Sequence, residues 1–139
     1  MSSKFIQPNV IAPAALLAAS PALADVHGEI IAAIEHVEYS AAATDIATAH
    51  MHLHHTLNCL VGPGGAGFAP KEINPCANAG HGIIPDTTDA KARSALEAAA
   101  AKTRDGLLTD DLATARADAA FVAKAEGTAV AAAFRRFGR

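Results

Sequence analysis

Residues 25–61 read DVHGEIIAAIEHVEYSAAATDIATAHMHLHHTLNCLV. Asp25 is a natural N-cap, and the one strong helix breaker, Gly28, falls in the first turn, so the stretch predicts helix throughout. Counting back from Leu60 in alternate steps of three and four gives Leu57, Leu53, His50, Ile46, Ala43, Tyr39, His36 and Ala32. That is the apolar seam of a helix packing at a period of about 3.5 residues. As one rod it would run about 55 Å at 1.5 Å per residue, with His36 and His50 about 21 Å apart. The alternative is a break near 40–44, where Ser40, Thr44 and Asp45 offer capping chemistry. The high propensity of Ala41 to Ala43 favours the rod. A hairpin turning near Ala42–Ala43 would instead bring His36 opposite His50.

Downstream, residues 62–86 hold six of the ten glycines and four of the seven prolines, so this is a loop, with Phe68 and Ile83–Ile84 as anchors. A loop this long needs a function or a pin. The pin is a disulfide between Cys59 and Cys76, the chain's two cysteines. It closes a loop that contributes roughly 3 kcal/mol on the chain-entropy model. Gly62-Pro-Gly-Gly-Ala-Gly67 superficially resembles a phosphate loop, but Phe68-Ala69 stands where Lys followed by Ser or Thr is required, and a helix rather than a strand precedes it.

Residues 87–139 predict a helical hairpin. Its first helix starts at Asp86 to Thr88, carries the stripe Ala92, Leu96, Ala99, Thr103 and Leu107, and ends at Gly106 after Lys102 and Arg104. Thr109 is expected to cap the second, whose stripe is Leu112, Ala115, Ala119, Val122, Ala123, Val130, Phe134 and Phe137. Gly127 reads as a point of close helix approach. With no strand signal, the fold class is all-α: a bundle of three or four helices in a single domain over 25–139.

Residues 1–24 read as a secretory signal. Lys4 forms a thin basic region, Val10 to Ala19 an apolar run, and Ala22-Leu23-Ala24 a small-x-small cleavage pattern. Together with the cysteines this places the protein in the periplasm or outside the cell. No apolar run reaches the ~20 residues of a membrane span. The net charge of −3, with Arg135–Arg136 as the only basic run, disfavours nucleic acid. There is no CxxCH for covalent haem, and no Ser-His-Asp or Cys-His set for a nucleophile, so an enzyme is not expected.

Function is written in the histidines. Six of seven lie in residues 25–61, and the seventh, His81, lies in the loop. A buried imidazole is costly unless a partner, a proton or a metal satisfies its nitrogens. His50 and His54, one turn apart on one face, have the spacing to share a metal, with zinc or copper the ions that suit neutral imidazole. Met51, His52 and Leu53 fill the gap between them, so this is not the HExxH of a zinc protease. His81 on the tethered loop, Asp86 more weakly, or His36 in a hairpin would complete the site. A two-fold homodimer would instead supply the pair twice. His52 and His55 are expected on the opposite face, solvated or binding metal weakly, and His27 at the helix start. The reading is a small exported helical protein that binds a transition metal as carrier, buffer or sensor. Two alternatives are a haem-binding bundle and a metal-free protein–protein interaction module of the cell envelope.

Overall fold

The computed structural model describes residues 24–137, without the side chains of Val130 and of residues 132–137. The signal expected over 1–24, apart from Ala24, and the stripe positions Val130, Phe134 and Phe137 therefore lie outside what can be assigned. The described chain is all-α: α1 Val26–Ala41, α2 Ile46–Val61, α3 Ile83–Asp86, α4 Ala90–Leu108 and α5 Leu112–Phe137.

The single rod does not form. At residue 45 the Asp carboxylate accepts hydrogen bonds from the Thr48 amide and hydroxyl, both at 2.8 Å. That Asp-x-x-Thr cap restarts the helix after a break over residues 42–45. The Ser40 hydroxyl, wholly buried, then donates to Ala49 O at 2.9 Å and staples α1 to α2 as an antiparallel hairpin. Arg116 of α5 donates to Ala41 O at 2.7 Å, satisfying a carbonyl at the end of α1. Folding back covers apolar faces that a rod would leave wet.

The break also resets the helical phase. On α1 the buried line is Ile30, Ala33, Val37 and Ser40. It is one residue off the counted seam, and Tyr39 is 49 % exposed. On α2 the count holds for Leu53, Leu57 and Leu60, all buried.

A second hairpin, α4–α5, closes the arrangement. α1 packs on α2 and α5, and α2 packs on α4. The shared core joins Ile30, Ala33 and Val37 to Leu53, Leu57 and Leu60, and these to Leu96, Ala99, Ala119 and Val122. Two expected boundaries move. Asp89, whose carboxylate accepts from Ala92 N, caps α4, and α4 runs on to Leu108. Asp111, not Thr109, caps α5 by accepting from the amide and hydroxyl of Thr114. Gly106 is therefore helical and marks the close approach: a Cβ there would meet Leu53 Cδ1 at 2.9 Å. At Gly127 a Cβ would meet nothing within 4 Å, because its neighbour Glu126 takes the inward position.

The disulfide between Cys59 and Cys76 is present and ties the loop back along the second half of α2. Asn58, wholly buried, pins the same loop: its amide donates to Ala69 O at 3.0 Å and Ile73 O at 3.1 Å, and its oxygen accepts from Ala69 N at 2.8 Å. At the far end Gly62 and Gly82 cross backbone to backbone. Gly62 has φ 68°, and a Cβ on it would run into the carbonyl of His81. Among the described residues no helix is long and apolar enough to cross a membrane.

Candidate metal centre

The hairpin brings His36 of α1 against His52 and His55 of α2. Its centre lies near Thr44–Asp45, one to two residues beyond the Ala42–Ala43 turn that would have set His36 against His50. The rings meet through their Nδ1 atoms. His36 Nδ1 is 3.0 Å from His52 Nδ1 and 3.3 Å from His55 Nδ1. The ligand nitrogens of the three residues lie within 4.8 Å of one another, close enough to hold a metal ion. Two nitrogens on a tetrahedral zinc at about 2.05 Å stand about 3.3 Å apart. The spacing about His36 is close to that of a ligand set.

Hydrogen bonding alone leaves this arrangement incomplete. A ring nitrogen carries either one proton or one lone pair. His36 Nδ1 therefore makes one linear hydrogen bond, yet two nitrogens approach it. A cation accepting three converging lone pairs removes the conflict.

Burial reinforces the neutral state. His55 is 4 % exposed, and His36 and His52 are half-buried. Burial is the largest cause holding all three below the usual imidazole value of 6.5. The neighbouring imidazoles lower His36 and His55 further, while Glu35 beside His36 and Glu72 beside His55 pull the other way. Tyr39 forms the outer wall, its ring edge-on to His36 at 5.9 Å and tilted on His52 at 5.2 Å. The Tyr39 hydroxyl donates to Glu35 Oε1 at 2.7 Å, which fixes that wall.

Of the four histidines expected as ligands, His36 alone belongs to this group. His50 donates from Nε2 to Thr109 O at 2.9 Å, a structural bond across 59 residues. His54 Nδ1 is buried with no hydrogen-bond partner among the described residues, and His54 is not one of the three residues whose nitrogens converge. The His81 side chain is 75 % exposed and turns to Asp86, with Nδ1 at 3.2 Å from Oδ1, rather than back to α2. Asp86, the weaker expected ligand, is occupied there.

The face of α2 that carries His52 and His55, expected to be solvated or weakly metal-binding, is the one turned to α1: His55, Thr56 and Cys59 are buried there, and the Thr56 hydroxyl donates to Ala33 O. The Asp45 N-cap, which starts α2 after the turn and so lets α1 cover this face, is the sequence signal for it.

A second titratable cluster lies at the other end of α1. Glu29 is 0 % exposed, its Oε1 accepts from Gly82 N at 2.9 Å, and its Oε2 has no partner among the described residues. Burial pushes this carboxyl up to about 7, with Asp86 adding to the shift. No protein-family model matches this chain, and no curated protein or solved structure matches it either.

Proposed function

We propose that this protein binds a transition metal ion through the Nδ1 atoms of His36, His52 and His55, with zinc or copper as the ion. The observation that carries the reading is the approach of two imidazole nitrogens to a third at 3.0 and 3.3 Å, all three rings being held neutral by burial. All three ligands are soft-borderline nitrogen donors of the kind that select zinc and copper over magnesium or calcium.

Three protein ligands leave a coordination position for water or an exchanging donor. His36 and His52 keep part of their surface in solvent, so an ion can enter and leave. This suits a carrier, buffer or sensor better than a closed structural site. The proposed role is binding and release of the ion rather than catalysis. Haem fits less well: nitrogens 3.0 Å apart cannot stand on opposite faces of one iron at about 2 Å from each. The disulfide is compatible with an exported protein, and export to the periplasm or beyond is part of the proposal.

Calorimetric titration with zinc, on protein purified without an affinity tag, tests this. One ion per chain is expected, with loss of binding in His36→Ala and in His55→Ala. His50→Leu should bind zinc as the parent does, because its ring is committed to Thr109 O. Binding that survives loss of His36 and His55 but fails in His50→Leu would reject the triad.

A further inference from the structure

The loop tied to α2 carries one carboxylate to the histidines. Glu72 Oε2 stands 3.9 Å from His55 Nε2, on the far side of the ring from the Nδ1 that meets His36. The placement is built, not incidental. Asn58 grips the backbone at Ala69 and Ile73, on either side of Glu72. The disulfide at Cys76 closes the same segment onto Cys59, and the two rungs run in step: Cys59 lies one turn beyond His55, and Cys76 four residues beyond Glu72.

We infer that Glu72 is a positioning residue of this centre, holding the His55 proton on Nε2 so that the Nδ1 lone pair is presented to the metal. The physical reason is electrostatic. An imidazole has two tautomers of similar energy, and the nitrogen nearer a carboxylate keeps the proton. A ligating histidine generally donates its other N–H to such an outer partner, which fixes the ring and raises its basicity. His55 is the ligand for which this matters most. It is the most buried of the three, 6 % exposed at its side chain, so water cannot set its tautomer. Glu72 is 39 % exposed and its attraction is partly screened, so its effect lies at the lower end of the ten- to hundredfold range usual for outer-shell partners.

The affinity consequence rests on the metal-binding reading, but the tautomer does not. Nitrogen-15 NMR of the metal-free protein at pH 7.5 reads the tautomer directly, with Glu72→Ala as the variant and Lys71→Ala as the neighbouring control. Glu72→Ala removes only a half-exposed side chain, since the loop is pinned through backbone groups. The Nε2–H form of His55 should dominate in the parent and in Lys71→Ala. In Glu72→Ala it should give way to a mixture, and zinc affinity should fall about tenfold. A His55 tautomer that ignores Glu72→Ala would overturn the inference. A parent that takes up no zinc while its tautomer responds to Glu72→Ala would support the positioning role and reject the metal reading alone.

Discussion

Glu126→Leu should raise the unfolding midpoint at pH 7.5 by on the order of 10 °C. Glu126 of α5 is 0 % exposed, and neither carboxylate oxygen has a hydrogen-bond partner among the described residues. Burial pushes its carboxyl well above the usual 4.5. The folded state therefore keeps the proton over a range in which the unfolded chain has lost it. Stability from this group is full below about 4.5 and falls by about 1.4 kcal/mol per pH unit above it, until the folded value is reached. At pH 7.5 this adds to the cost of leaving both oxygens unpaired, about 1–3 kcal/mol for a buried unsatisfied polar group. Leucine fits between Val122 and Ala129 on the same buried stripe and removes the penalty. Thermal unfolding from pH 5 to 8 gives the test. The gain of Glu126→Leu over the parent should grow with pH, and a constant or negative difference would show that the carboxyl has a partner. Glu29 has the same sign between 4.5 and about 7, so both proteins keep a shared slope there that the comparison cancels.

Zinc should raise the melting temperature strongly at pH 7.5, and the gain should shrink as pH falls through the folded values of the three histidines. An ion at a thousandfold excess over its dissociation constant stabilises by about 4 kcal/mol. The three histidines titrate below 6.5 in the folded protein, chiefly through burial. They are therefore neutral and ready to ligate at pH 7.5. Once pH falls through their folded values, protons compete for each ligand, and affinity drops by up to about a thousandfold per pH unit. The metal-free protein behaves in the same direction by a separate route. A lowered imidazole value gives stability that is full above 6.5 and is lost as pH falls toward the folded value. Between 4.5 and 6.5 the two effects oppose each other: the triad loses stability as pH falls, and Glu29 and Glu126 lose it as pH rises. Differential scanning calorimetry with and without zinc, stepped downward from pH 7.5, checks this. A gain that stays constant over the whole acid range in which the protein remains folded would mean that the ion is held by carboxylates, not imidazoles.

The helical class was readable from residues 25–61 and 87–137 because periodicity survives local errors. Leu53, Leu57, Leu60, Leu96, Ala99, Ala119 and Val122 all lie on the buried faces that the spacing indicated. The disulfide was legible too, since Cys59 and Cys76 bracket a loop that needs a pin. What the spacing could not deliver was the turn. Three alanines at 41–43 carry high helix propensity, whereas the Asp45 cap and the Ser40 staple draw their weight from tertiary packing. A shift of one or two residues in the hairpin centre exchanges His50 and His54 for His52 and His55 as partners of His36. Glu126 escaped notice for a related reason. It falls in the gap between Val122 and Val130, where an acidic residue on an apolar stripe reads as a solvated position.

The central claim is that one ion sits among His36, His52 and His55. Crystals grown with zinc, with data collected on either side of the zinc absorption edge, locate that ion directly. The account predicts one anomalous peak per chain, within about 2.0–2.1 Å of the Nδ1 atoms of all three residues. It also predicts the Glu72 carboxylate on the Nε2 side of His55. A peak at His50 and His54, or at His81 and Asp86, with the triad left empty would contradict it.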